Sequence, residues 1–338
     1  MSEAPPSRNF SHTSFVFRGF PELQEHRRLL ALFFFFSYLV VLLGNSLLVM
    51  VVRRVQRLHS PMYLLICTLC IVDVFVVTAI LPNMLLDLLF DWNRISLAGC
   101  LIQMFFTHFL SSVESTLLLA MALDRYVAIC KPLRYADMVD SSSLLKLLLF
   151  TLVRSVSIMA TLVGLAGSLW FCSSNTIQHG YCDHMALVSL ACGSTQKNLA
   201  AGLAVIICFV GVDIPIIFFS YMKILRVVLR ATAAGEERLK AFHTCSTHLM
   251  VIMCFYLVGS VTFLSHNLNI PITTDINTLM GVMYILIPAT VNPIIYGVRT
   301  KEIRNGLWRL ISLRAKKIPS VKISSSGKTG QNLQGMTH

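Results

Sequence analysis

The sequence predicts an all-α membrane protein: a seven-transmembrane helix bundle with a short amphipathic helix after the seventh span. Three observations carry that prediction. The 338 residues are 55% hydrophobic and 13% charged, with a mean hydropathy of +0.71, where a soluble domain carries about a quarter charged residues. Seven runs stay mostly apolar over the roughly 20 residues needed to cross about 30 Å of hydrocarbon. Lys and Arg are shared unevenly between alternate connections, as the positive-inside rule requires.

The spans are Leu29–Val52, Met62–Leu86, Ala98–Leu123, Leu144–Trp170, Leu199–Tyr221, Thr244–Leu264 and Ile276–Val298. An odd number of crossings puts the two ends on opposite sides. With the N-terminus outside, 20 of the 28 Lys and Arg fall in inner segments, six (Arg8, Arg18, Arg27, Arg28, Arg94, Lys197) in outer ones, and two within the fourth span, Lys146 at its inner end and Arg154 further in. The net charge of +12 follows from this topology and from anionic inner-leaflet lipid, so membrane lipid is an expected partner and nucleic acid is not. The chain divides into an extracellular N-terminus (1–28), the membrane domain (29–298), a cytoplasmic surface helix (299–314) and a tail expected to be disordered (315–338). Residues 1–28 are polar, with Pro5 and Pro6 and no apolar core, so the first span is expected to act as insertion signal. They carry a sequon, Asn9-Phe10-Ser11, a glycosylation site if it faces the lumen. In Thr300–Arg314, Ile303, Leu307, Leu310 and Ile311 recur at helical spacing among basic residues, the pattern of a helix lying on the membrane surface.

Most connections are short. The exception, Phe171–Asn198, holds Cys172, Cys182 and Cys192, and Cys100 opens the third span on the same outer side. Four cysteines in an oxidising compartment allow three pairings by counting alone. A structural zinc with His179 and His184 is the rival reading of the loop, disfavoured because no Cys-x-x-Cys pair lies there. No metal is therefore expected.

Polar groups inside apolar spans each ask for a reason. Asn45, Asp73, Glu114 and Asn292 come from four different spans. If they converge, the two carboxylates must be protonated, paired or bound to a cation such as Na⁺, a role compatible with plain helix packing. Glu114 precedes Arg125 by eleven residues, which returns to nearly the same helix face about 16 Å further in. His108, Ser111, Ser112 and Ser115 form a polar stripe in the outer half of that helix. Arg154 and Asp213, the latter two residues before Pro215, are candidates for gating or for pairing, and a structural role is expected of both. Asp124 and Arg125, followed by Tyr126, sit at a membrane boundary where charge is costly unless partnered, as in a lock that can open. In the last span Pro293 removes a backbone hydrogen bond next to Asn292 and forms a joint that can swing.

Together these residues resemble the rhodopsin-like G-protein-coupled receptors, and more closely the odorant receptors. The resemblance runs over roughly residues 20–312. It rests on Leu58-His59-Ser60-Pro61-Met62-Tyr63, on Met121 through Cys130 followed by Lys131-Pro132-Leu133-Arg134-Tyr135, on Ser220-Tyr221, on Lys240-Ala241-Phe242-His243-Thr244-Cys245-Ser246-Thr247-His248, and on Asn292-Pro293-Ile294-Ile295-Tyr296-Gly297. Gln103 through Phe109 with Glu114-Ser115, and Tyr181 through Ala186, are similar to class I, the fish-like group, which tends to detect polar odorants. The resemblance implies a plasma-membrane receptor for a small-molecule odorant, coupled to a heterotrimeric G protein of the olfactory stimulatory type and to cAMP. It selects Cys100–Cys182 and Cys172–Cys192 as disulfides. It implies a ligand set of Met104, His108, Ser111, Ser112, Ile206, Tyr256, Gly259, Ser260, Phe263 and Asn267, with Tyr256 as the switch beneath the ligand. Asp73 with Glu114 becomes a Na⁺ site, and Asp124, Arg125, Tyr126, Tyr221, Asn292, Pro293 and Tyr296 become the activation and G-protein-coupling residues.

One departure bears on ligand class. Receptors of this class for carboxylic acids typically carry a basic residue where this chain has Asn267, with His266 before it. Without that charge-assisted partner, neutral or weakly polar ligands are expected over acids, unless a protonated His266 restores the charge. Two other readings stand beside this one: a chemosensory receptor outside olfactory tissue, and an ion or proton transporter. Transport is disfavoured by the lack of an internal repeat. An enzyme is not expected, since no nucleophile motif, phosphate loop or metal cluster is present.

Overall fold

Backbone polar groups in hydrocarbon must be satisfied within their own segment, so long apolar runs close into helices. The computed structural model describes residues 11–230, 235–267 and 272–317. Among them, seven helices are long and apolar enough to cross a membrane.

In chain order the elements are strand β1 (Ser14–Phe17), helix α1 (Arg27–Arg54), α2 (Pro61–Phe90), strand β2 (Arg94–Ser96), α3 (Leu97–Cys130), α4 (Ser141–Gly167), strand β3 (Thr176–Ile177), α5 (Gln196–Arg230), α6 (Gly235–Asn267), α7 (Thr274–Arg299) and α8 (Lys301–Lys317). α3 is the hub, in contact with α2, α4, α5 and α6, while α1 closes the ring against α2 and α7. Phe33, Phe36, Phe75, Phe218 and Phe219 are exposed on the outside of the bundle, the face that lipid covers.

Most helices overrun the apolar runs that announced them. α5 begins at Gln196 and continues to Arg230, and α6 begins at Gly235, nine residues before the expected Thr244. Hydropathy marks where hydrocarbon ends, whereas a helix stops only where capping or a breaker stops it. The opposite holds for α4, which ends at Gly167 rather than Trp170. There the Ser168 N–H closes back on the Gly164 carbonyl, and glycine and serine give little support to another turn. The surface helix runs over Lys301–Lys317, three residues beyond its expected end. Its Ile303 is fully buried. Gly306 permits that docking, since a Cβ there would lie 2.7 Å from the Val51 side chain. Asn9 and the tail from residue 318 on lie outside the described residues.

Among the described residues three large apolar clusters stack along the bundle, and a small fourth holds Met159, Leu162 and Phe209 between α4 and α5. One at the α8 end gathers Leu48, Val51, Leu69, Leu117, Tyr296 and Ile303. A second, around Phe34, Ile80, Met84 and Ile285, joins α1, α2 and α7. The third, at the opposite end, is built on the disulfides and contains Phe15, Cys100, Met104, Phe171 and Cys182.

That end also carries a small sheet of order β2-β1-β3, with β1 antiparallel to β2 and parallel to β3. Ser14 faces Ser96, and Val16 faces Thr176. The N-terminal segment is thereby stitched to two connections distant in sequence. Phe15 is fully buried, edge-on to Phe171 at 5.3 Å. Gly19 and Gly180 cross so closely that a Cβ on Gly19 would lie 2.8 Å from the Gly180 Cα.

Both disulfides pair as the resemblance implies: Cys100–Cys182, 82 residues apart, and Cys172–Cys192, 20 apart. Closing the longer loop removes more chain entropy, about 4.5 kcal/mol against about 3.3. Replacing Cys100 and Cys182 by Ser is therefore expected to lower the unfolding free energy of purified protein by about 1 kcal/mol more than replacing Cys172 and Cys192. Equal losses would show that the loop lengths do not matter.

Candidate functional site

The centre of the bundle holds an ion pair. Arg154 on α4 meets Asp213 on α5 at 3.0 Å, and the Asp213 side chain is fully buried. Two local features of α5 make room for it. Residues Ile207–Gly211 wind as a π-helical turn, four residues ahead of Pro215, which has no N–H to give. The Cys208 carbonyl accepts from Arg154, and the guanidinium lies over the Phe209 ring at 4.3 Å from its centroid. Asp213 also accepts from the Ser115 hydroxyl of α3 at 3.0 Å, and Ser115 is 2.9 Å from the Tyr256 hydroxyl of α6. Since Ser115 spends its proton on the carboxylate, Tyr256 is the donor in the second bond. The chain Tyr256 to Ser115 to Asp213 to Arg154 therefore ties four helices together.

Nearer the disulfides, polar atoms gather without partners. Thr107 Oγ1, His108 Nε2 and Ser111 Oγ of α3, and His184 Nε2 of the long connection, are buried with no hydrogen-bond partner among the described residues. His184 sits between α3 and the small Gly202 of α5. Asp183 caps the short helix His184–Val188, accepting from the N–H groups of Met185 and Ala186. Burial pushes the His184 pKa down to about 4, helped by His108 and opposed by Asp183. Burial would raise the Asp183 carboxyl, but His179, His108, the Ala186 N–H and His184 together hold it below the ordinary carboxylate range.

Two further groups lie towards α8. Asn292 donates to Asp73 at 3.0 Å, with Glu114 beside it, while Asp73 Oδ1, Asn292 Oδ1 and Asn45 Oδ1 are buried without donors. Asn45 uses its amide to bridge the Val41 and Ala289 carbonyls, joining α1 to α7. At the end of α3, Arg125 donates to Asp124 through Nε at 3.0 Å and Nη2 at 2.6 Å, and Tyr135 donates to the other carboxylate oxygen at 2.8 Å. Burial first, and that bond second, raise the Tyr135 pKa to about 12, so the phenol stays a donor. Arg299 of α7 reaches Ser246 and Thr247 of α6, and His248 meets the Tyr296 hydroxyl at 3.3 Å. Tyr126 stacks under Lys131, and the Tyr221 hydroxyl is buried without a partner among the described residues.

Against known proteins, the family profile described as "Olfactory receptor" matches residues 34–314. The chain belongs to the olfactory receptor family. It is 39% identical to Olfactory receptor 51E2 of Mus musculus over 92% of this chain and 97% of the relative. It is also 39% identical to Olfactory receptor 51E1 of Homo sapiens, over 90% and 96%, and to Olfactory receptor 52K2 of Homo sapiens, over 87% and 94%. The protein is thus a multi-pass membrane receptor and not an enzyme.

Within the receptor, the residues expected to bind ligand fall into separate settings. His108 and Ser111 belong to the unpartnered polar group. Ser112 returns its hydroxyl to the Phe109 carbonyl. Met104 is packed against the Cys100–Cys182 bridge, and Ile206 is half-buried beside the π turn. Gly259 makes room for the Tyr284 ring, which a Cβ would approach to 2.8 Å. The side chains of Phe263 and Asn267, like that of His266, lie outside the described residues. Tyr256 and Ser260 border a cavity of about 560 Å³ between α5 and α6, which runs towards α8 past Tyr221 and Cys245. Its apolar lining includes the exposed Phe218, Phe242 and Leu257, so the seam between α5 and α6 is loosely packed there.

The sequence marks Arg154 and Asp213 as gating or pairing residues with structural roles, but does not show that they pair with each other or reach Ser115 and Tyr256. Replacing Arg154 with Met is expected to destabilise the receptor by about 3–5 kcal/mol, because Asp213 is left buried and unpaired, and adding Asp213→Leu should recover most of the loss. Thermal unfolding checks both, and equal loss in the single and double variants would contradict the pairing. The unfolded His184 titrates near 6.5 and the folded one near 4, so its contribution is complete above pH 6.5 and is lost as pH falls through that value. About 2 kcal/mol should be gone by pH 5, and His184→Gln should flatten that slope in melting curves taken from pH 7 to 5.

Proposed function

We propose that this olfactory receptor binds a small, neutral or weakly polar odorant beneath its disulfide-bonded end, and answers by opening its α8 end to a stimulatory G protein that raises cAMP. The N-terminus is taken as extracellular and the C-terminus as cytoplasmic, in the plasma membrane. The disulfides, which need an oxidising compartment, and the Lys and Arg bias both support that orientation.

The observation that carries the ligand reading is the set of unpartnered buried atoms on one stretch of α3, Thr107, His108 and Ser111, and on His184, which lies near His108. Buried polar atoms nearly always find partners, and a ligand hydroxyl, carbonyl or ester oxygen supplies what these lack. None of the four is a fixed cation, and Asn267 stands where acid-binding relatives of this class carry one. Ser111 lies one helical turn from Ser115, so a ligand that draws on this stretch of α3 acts next to the Tyr256 tie. A packing in which Tyr256 is released leaves α6 free along the loose seam beside α5. A ligand that favours that packing shifts the population towards it.

At the α8 end the same shift separates Arg299 and Tyr296 from α6 and uncovers Arg125 and Tyr221. The groove so formed would receive a helix of the G-protein α subunit. Asn292 and Pro293 provide the joint in α7. Asp73 with Glu114 is read as a site for a proton or a Na⁺ ion. Its donor set suits a hard cation, since the Asp73 Oδ1 and Asn292 Oδ1 atoms are buried oxygens that lack donors. Cation release would accompany opening.

The test is a cAMP reporter in cells with confirmed surface receptor and matched alcohol, ketone, ester and acid series. Neutral members are expected to activate over acids, and His108→Ala to raise the half-maximal concentration about tenfold for the loss of one buried hydrogen bond. Arg125→Ala that signals normally at equal surface level would contradict the lock. Acids winning would move the ligand contact to His266.

A further inference from the structure

A second crevice, of about 300 Å³, lies on the lipid-facing side of the bundle at the α8 end, walled by the last turn of α1, by α2 and by α4. Its floor and sides are apolar: Leu64, Leu65, Ile71, Leu144 and Leu148. Leu64 and Ile71 are among the exposed large side chains, so the crevice opens to the hydrocarbon. Its mouth is different. Arg53 and His59 both line it and are both exposed, and no acidic side chain is among the residues lining it. Arg53 makes no ion pair among the described residues. Arg54 and Arg57, also exposed, stand on either side of the same turn.

We propose that this crevice holds an anionic phospholipid, with one acyl chain along the groove between α2 and α4 and the headgroup phosphate on Arg53 and His59. Three features of the site select that occupant. An apolar groove that opens only to hydrocarbon takes a chain that is already in the membrane. A guanidinium at its mouth, with an imidazole next to it, matches a phosphate in geometry and charge. His59 also stands two residues before Pro61, where α2 begins, and the N-terminal end of a helix favours an anion. A zwitterionic lipid offers the same chains but cancels the phosphate charge, and a sterol offers no anion. The inference is independent of the odorant reading. It concerns how α1, α2 and α4 are held at the membrane boundary, on the side of α3 away from the seam between α5 and α6.

The full-length receptor in phosphatidylcholine nanodiscs provides the test, doped with a phosphatidylserine that carries a diazirine on one acyl chain, or with a phosphatidylcholine of identical chains. After photolysis, adducts are mapped by peptide mass spectrometry. The serine lipid is expected to label peptides containing Leu64–Ile71 and Leu144–Leu148 about fivefold more than the choline lipid, the preference of one basic contact near a charged headgroup. Arg53→Gln with His59→Asn should reduce that labelling to the choline level, whereas Arg94→Gln, at the other end of the bundle, should leave it unchanged. Leu148→Trp, which fills the groove and spares the basic pair, should lower labelling by both lipids. Equal labelling by the two probes, a preference that survives in the Arg53/His59 variant, or displacement of the serine probe by added cholesterol would each overturn the proposal.

Discussion

Hydrocarbon does not solvate charge, and the pairing of Arg154 with Asp213 in the middle of the bundle is the constraint from which the rest of the centre follows. Neither residue can be there alone. α5 adapts by winding a π turn, giving up the Cys208 carbonyl to the guanidinium and setting Phe209 under it. The carboxylate has lone pairs left, and Ser115 takes one. The tyrosine of α6 is thus held by a chain of hydrogen bonds whose far end is a salt bridge between two other helices. Such chains polarise one another and behave as a unit.

What hangs on that unit is the freedom of α6. Below Tyr256 the side chains of α5 and α6 leave a cavity open to lipid, so packing does little to fix their spacing. On its other side α6 is packed, with Val251, Ile252 and Phe255 in the core and Phe255 on the Tyr284 ring of α7, and among the described residues polar ties add to that packing: the one at Ser115, and Arg299 and Tyr296 of α7 at the α8 end. Polar restraints are either made or broken, which suits an element with two positions better than a packed core that resists any change. The lock of Asp124, Arg125 and Tyr135 is separate from these restraints, since all its bonds lie within α3 and the turn that follows it.

The spans were legible because crossing a membrane is a one-dimensional requirement that hydropathy records residue by residue. Overrunning ends were not, because Gln196–Asn198 and Gly235–His243 are helical outside the stretch that hydropathy measures. The strand Ser14–Phe17 could not be read at all: it exists through pairing with residues near 95 and 176, and nothing local to it distinguishes a strand from a polar arm. Counting left three disulfide pairings open, and family resemblance selected the two that the fold brings together. Arg154 and Asp213 were visible as charges that needed partners. That the partners were each other, and that Ser115 and Tyr256 completed the set, depended on how four helices face one another.

The most direct test of the central claim is the alkylation rate of Cys245, which lies on α6 beside the cavity at its α8 end. It is measured in native membranes by site-resolved mass spectrometry, with Cys130 on α3 as internal reference. If the Tyr256 to Ser115 bond holds α6, Tyr256→Phe should speed Cys245 labelling about fivefold, the population change that one buried hydrogen bond commands, and leave Cys130 unchanged. Unchanged Cys245 labelling in that variant would contradict the account, because α6 would then be held by something other than this tie.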